Sequence, residues 1–128
     1  YKKQVAPIPA YGIYTIPEVS MAGYTESQLQ DQNIDYVCGK AYYNQNARGM
    51  IVGDEHGLLK LLFEKKTMKL VGVHVIGESA SELVHAGLIA LMSGANNELF
   101  ISTCFNYPTL SELYKYATYD AMGKVNSK

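Results

Sequence analysis

Apolar and polar residues alternate most regularly between residues 58 and 77. Leu59, Leu61 and Phe63 fall on one side of an extended chain and Leu58, Lys60, Leu62 and Glu64 on the other, the period-two pattern of a β-strand. After a break at Lys66-Thr67-Met68, Val71, Val73 and Val75 continue the first set, while Leu70, Gly72, His74 and Ile76 continue the second. So short a break predicts an antiparallel hairpin over Leu58–Lys65 and Lys69–Gly77, at the centre of the sheet. The second set is only partly polar, so its face is expected to be covered in places. Two further runs have strand character. Tyr36–Tyr43 alternates with β-branched and aromatic residues, and Glu18–Gly23 follows Pro17, which lacks an amide proton and belongs at an edge or a strand start.

Helical spacing takes over at Ser79–Ser93, where no proline occurs and Leu83, Val84, Leu88, Leu91 and Met92 recur along one side. Ala80, Ala86, Ile89 and Ala90 extend the apolar surface around most of the circumference, and such a helix has to be covered on more than one side. A partner subunit is one source of the second cover. Thr25-Glu26-Ser27-Gln28 has the form of a capping box and opens a short helix. Thr109 and Glu112 repeat that spacing, predicting a capped helix from Leu110 to Met122 that stops at Gly123. Asn96–Cys104 is expected to be a short helix, and Asn44–Arg48 a polar loop. Residues 1–12, with Pro7 and Pro9, read as a connector of little regular structure arriving from an upstream domain. The fold class predicted over residues 13–128 is α+β: an antiparallel sheet of four to five strands with helices packed on one face, a two-layer sandwich.

Composition narrows the function. With 128 residues, 48% of them hydrophobic and 18% charged, the chain suits one globular domain, and no apolar run approaches the length of a membrane span. A net charge of −1 without a basic cluster gives no footprint for nucleic acid. Cys38 and Cys104 form no C-x-x-C pair and fit a reducing compartment, so a cytoplasmic location is expected. The opening Tyr1-Lys2-Lys3, without an initiator methionine or an apolar signal segment, suggests a chain cut from something longer.

Candidate chemistry is sparse. His56, His74 and His85 have no metal-site spacing, so no metal is expected. Glu82 and His85 lie three apart on one predicted helix, a spacing more typical of a surface or interface contact than of an acid/base pair. The glycines between Gly72 and Gly77 do not form G-x-G-x-x-G, so no pyrophosphate is cradled in that way. Attention falls instead on Phe105-Asn106-Tyr107-Pro108-Thr109-Leu110-Ser111-Glu112. The Tyr107-Pro108 amide is one of the few bonds for which cis geometry costs little, and Tyr107 stands on a stiff corner. From residue chemistry alone, Tyr107 reads as a packed aromatic whose hydroxyl finds a partner. Tyr114, Tyr116 and Tyr119 cluster on the predicted last helix and give modest support for association.

The same stretch resembles the C-terminal signature of the FAD-dependent pyridine nucleotide-disulfide oxidoreductases, in which His-Pro-Thr precedes a glutamate. Thr15-x-Pro17-Glu18 and Gly23-x-Thr25-Glu26 match the opening of that family's C-terminal dimerisation domain, so the resemblance spans nearly the whole chain. Tyr107 occupies the family's histidine position and Glu112 that of the glutamate which orients it. A tyrosine there argues against dithiol chemistry, and Thr103-Cys104-Phe105-Asn106-Tyr107-Pro108-Thr109 is similar to the branch of soluble pyridine nucleotide transhydrogenases. Mercuric reductases end in a vicinal cysteine pair, whereas this chain ends Val125-Asn126-Ser127-Lys128.

The resemblance implies a parent homodimer that uses FAD to pass hydride from NADPH to NAD+, with FAD- and NAD-binding domains upstream. It implies that Tyr107 and Pro108 contact the partner subunit's FAD, partly through the backbone carbonyl at the histidine position. Thr109 and Glu112 serve as helix cap or second-layer support, and no residue of this chain is expected to be catalytic. The isolated chain is expected to be inactive and to bind no cofactor. Two alternatives stay open: a lipoamide-dehydrogenase-like reductase without its histidine, and a non-catalytic dimerisation module.

Overall fold

The computed structural model describes residues 8–127. Five strands, β1 (Ala10–Ile13), β2 (Val19–Gly23), β3 (Tyr36–Tyr42), β4 (Leu58–Glu64) and β5 (Leu70–Ile76), form one sheet in the order β1-β2-β5-β4-β3. Every neighbouring pair is antiparallel. The helices are α1 (Glu26–Asp31), α2 (Ala47–Val52), α3 (Ala80–Ser93), α4 (Asn97–Ser102) and α5 (Leu113–Asn126). The predicted α+β sandwich is therefore the observed one, with the hairpin inside the sheet and α3 and α5 layered on one face.

The core face is built from strand alternation. Val37 and Ala41 of β3, Leu59, Leu61 and Phe63 of β4, Val73 and Val75 of β5 and Ala22 of β2 are all buried. They meet Leu83, Val84, Ala90 and Leu91 of α3 and Leu113, Tyr114, Ala117 and Ala121 of α5. Removing a side chain such as Leu59 or Leu61 from water contributes roughly 1.5–3 kcal/mol each. α5 lies close on β3 because residue 39 is glycine: a Cβ there would overlap the Ala117 carbonyl oxygen.

One alternation changes phase. Phe63 pairs with Leu70, whereas Leu62 pairs with Gly72, leaving Val71 as the extra residue of a bulge. Leu70 thus enters the core in place of the expected Val71, and the Val71 carbonyl accepts from the Tyr24 amide at 2.8 Å. The opposite face is covered in part, as expected. Leu62 and Leu29 of α1 are fully buried, and Lys60 Nζ donates to Glu26 Oε1 at 2.8 Å. α1 carries the predicted capping box, with the Gln28 amide donating to Thr25 Oγ1 at 3.2 Å and the Thr25 amide to Gln28 Oε1 at 2.9 Å.

Several expectations are corrected. Residues 10–12 are not connector but belong to edge strand β1, held by its ladder with β2 and by Ser20 Oγ donating to the Tyr11 carbonyl at 2.6 Å. The rest of the expected connector, up to residue 7, lies outside the described residues. Asn44–Arg48 is not a plain loop: a 3-10 turn, Tyr43–Gln45, leads into α2, and Asn46 caps it by accepting from the Gly49 amide at 3.0 Å. α5 does not stop at Gly123 but runs on to Asn126. Val125 packs against the core there, and Lys124 Nζ donates to the Cys38 carbonyl at 2.9 Å.

Candidate functional site: the Tyr107 corner

The chain leaves α4, turns at residues 106–109 and enters a 3-10 turn, Leu110–Glu112, before α5 begins. Half-buried Phe105 and Leu110 pack against the core on either side, pinning both ends. The Tyr107-Pro108 peptide is cis, as is Ile16-Pro17. Tyr107 is 75% exposed, so it is not the packed aromatic that residue chemistry alone favoured. Among the described residues, no donor or acceptor reaches its hydroxyl, and no donor reaches its backbone carbonyl.

The neighbouring carbonyls are engaged. Arg48 donates to the Pro108 carbonyl from both Nε (3.1 Å) and Nη2 (3.0 Å), and Asn46 Nδ2 donates to the Thr109 carbonyl at 3.1 Å. These bonds tie the corner to α2, about sixty residues earlier in the chain. α2 is itself fixed from below. Tyr43 is fully buried with its hydroxyl donating to the Glu78 carbonyl at 2.9 Å, and a Cβ at Gly49 would overlap the Tyr43 carbonyl. Burial pushes the Tyr43 phenol well above its ordinary range, so it stays a neutral donor. Beyond α2, Gly53 closes the helix in the left-handed region, and Asp54 accepts from the amides of His56 (3.0 Å), Gly57 (2.7 Å) and Glu78 (2.8 Å). Burial raises the Asp54 pKa, but those three amides outweigh it and leave the carboxyl below its ordinary value.

The Thr109/Glu112 capping box does not form. Thr109 has the extended backbone of an N-cap, but its hydroxyl donates back to the Asn106 carbonyl at 2.7 Å and caps nothing. The tighter 3-10 turn replaces the first α-helical turn, and Glu112, half-buried, makes no side-chain hydrogen bond among the described residues. Neither residue therefore supports the corner through the proposed cap. Of the other predicted positions, Tyr107 and Pro108 stand together at the tip, while Tyr114 is a fully buried core residue and only Tyr116 and Tyr119 face outward.

The residues missed by sequence reasoning are Asn46 and Arg48. Asn46 preceding Ala-Arg, with Gly53 seven residues on, carried the N-cap and C-cap signals of a short helix. Chemically, the corner offers a carbonyl acceptor with no donor among the described residues, and an exposed aromatic surface. Among the described residues there is no group of three or more His, Cys, Asp or Glu side chains placed to hold a metal ion, and no helix long and apolar enough to cross a membrane.

Residues 9–118 match the family model described as the pyridine nucleotide-disulphide oxidoreductase, dimerisation domain. The soluble pyridine nucleotide transhydrogenase of Mycobacterium bovis (strain BCG / Pasteur 1173P2) is 45% identical over 123 residues, covering 96% of this chain and 26% of the relative. That of Hahella chejuensis is 44% identical over 117 residues, covering 89% and 25%. Among solved structures, LpdA from Mycobacterium tuberculosis superposes with a TM-score of 0.82 at 23% identity, covering 87% of this chain and 24% of that one. The HOCl-induced flavoprotein disulfide reductase RclA from Escherichia coli gives 0.79 at 20% identity, covering 94% and 26%. At those identities the structures speak for the fold alone, and the chain spans about a quarter of the length of the relatives it matches. With its sheet, its helical layer and its Tyr-Pro-Thr corner all in the expected order, the chain belongs to the pyridine nucleotide-disulphide oxidoreductase dimerisation-domain family.

Proposed function

We propose that this chain is the dimerisation domain, with β1 from Ala10 as its first strand, of a cytoplasmic soluble NAD(P)+ transhydrogenase. The Tyr107 corner then completes the flavin site of the partner subunit in a homodimer. The observation that carries this reading is that Tyr107 is an exposed residue whose carbonyl meets no donor among the described residues, beside two carbonyls that are already engaged. A flavin ring presents an imide N–H at one edge, and a fixed carbonyl is the complementary acceptor. When bound in the parent, FAD would supply the chemistry of hydride transfer between NADPH and NAD+.

The chain's own residues orient and exclude rather than react. The Tyr107 carbonyl would orient the ring, the exposed phenol would offer apolar cover, and no group at the corner would have to move a proton. The tyrosine at the family's histidine position supports transhydrogenation over dithiol reduction, because a hydride that arrives and leaves as hydride needs no thiol to be protonated. The 45% identity to a soluble pyridine nucleotide transhydrogenase supports the same choice.

The test is a steady-state assay of the flavin-loaded, full-length protein with NADPH as donor and NAD+ as acceptor. Sustained formation of NADH, insensitive to thiol alkylation, is expected. NADPH-dependent reduction of a disulfide that alkylation abolishes, without NADH formation, would replace this reading with a disulfide reductase.

A further inference from the structure

The hydrogen bonds supply a pattern. Pro108 and Thr109 have their carbonyls taken by side chains of α2 and its N-cap, whereas the carbonyl of Tyr107, immediately before them, has no donor among the described residues. We propose that Asn46 and Arg48 are positioning residues that clamp the Pro108 and Thr109 carbonyls inward, so that the Tyr107 carbonyl is presented outward to the partner subunit's flavin. This inference rests on the reading above.

Each side chain is suited to the task by its chemistry. A guanidinium can aim two N–H groups at one oxygen, and Arg48 does so at Pro108. Asn46 is 3% exposed and works in two directions, its Oδ1 accepting from the Gly49 amide and its Nδ2 donating to the Thr109 carbonyl. A carboxamide does both at once, from two different atoms. An ionised aspartate accepts but cannot donate. A purely local role for Asn46 would need only the capping half, which aspartate performs equally well. The donor half points across the chain to the corner. The base of the clamp is stiff as well, since α2 is seated on buried Tyr43 and leaves no room for a side chain at Gly49.

The substitutions follow from this division. Asn46→Asp keeps the helix cap and removes the donor to Thr109. Arg48→Met keeps the aliphatic stem and removes both donors to Pro108, and Arg48→Lys restores one donor and the charge. The experiment uses the full-length, FAD-loaded dimer and reads the crystal structure, the visible flavin spectrum and the kinetics of hydride transfer. The wild type is expected to show the Tyr107 carbonyl within hydrogen-bond distance of the partner's flavin ring. Arg48→Met and Asn46→Asp are expected to lengthen that contact, shift the flavin absorption and lower turnover about tenfold to a hundredfold, the scale on which a misplacement of about 1 Å acts. The KM for NADPH should stay near the wild-type value, and Arg48→Lys should recover most of the spectrum and the rate. If the wild type makes the contact and both variants leave contact, spectrum and turnover unchanged, the clamp is overturned while the functional reading stands. If the wild type lacks the contact, that reading falls and the clamp falls with it.

Discussion

The Tyr114 hydroxyl of α5 donates to the Leu83 carbonyl at 2.7 Å and accepts from the Gly87 amide at 3.0 Å, so one buried phenol links the two outer helices. Residues 83 and 87 are a carbonyl and an amide that an α-helix would otherwise join directly, and the phenol bridges the pair. Burial holds its pKa far above the ordinary tyrosine range, so it serves as a neutral donor and acceptor. Tyr114→Phe removes both bonds while filling nearly the same space. It should cost about 1–3 kcal/mol in urea unfolding, the scale for stranding a buried polar group.

Gly87 makes the complementary case. Alanine in a helix interior ordinarily gains about 0.5–1 kcal/mol over glycine. Here a Cβ would stand 2.5 Å from Val73 Cγ2 and 2.9 Å from the Tyr114 hydroxyl. Gly87→Ala should therefore lower the unfolding midpoint instead of raising it. A gain in stability would mean that α3 and β5 separate more easily than their packing implies.

Asp54 gives a pH dependence. Its folded carboxyl lies below its ordinary value, the net result of burial outweighed by bonds from three backbone amides. The unfolded state then binds the proton more readily, so the stabilisation is present above about pH 4 and lost as pH falls through the folded pKa. Urea midpoints measured from pH 6 to pH 3 should fall, and Asp54→Asn should be less stable at pH 6 but show a shallower fall.

Association is expected to use the outer surfaces of α3 and α5, where Ile89, Met92, Tyr116 and Tyr119 are exposed. Light scattering of the isolated domain at high micromolar concentration should detect dimer, and Ile89→Glu with Met92→Glu should shift it towards monomer. A strictly monomeric wild type would place the subunit contact elsewhere in the parent.

The fold was legible where one local pattern decided the outcome, and the site was not, because its geometry depends on distant partners. Thr25/Gln28 and Thr109/Glu112 have nearly the same capping signature, yet only the first forms. The Thr109 hydroxyl is claimed by the Asn106 carbonyl, which the turn brings close and no spacing rule anticipates. Leu70 displaces Val71 from the core through a bulge that strict alternation cannot contain. Tyr107 and Pro108 could be named from their motif. Asn46 and Arg48 could not be joined to them, because the relation is made by the α2 docking and not by the local sequence.

In the function proposed above, the Tyr107 corner acts through its shape and backbone, not through a side chain that gives or takes a proton. The most direct test is the rate of hydride transfer from NADPH to NAD+ by Tyr107→Phe in the flavin-loaded parent. The substitution keeps the ring and the carbonyl and removes only the hydroxyl, for which the described residues provide no partner. Turnover should stay within about twofold to threefold of wild type, far from the range of a lost acid or base. A fall of about 100-fold to 10,000-fold, with flavin content and dimerisation intact, would make the phenol catalytic and contradict that role.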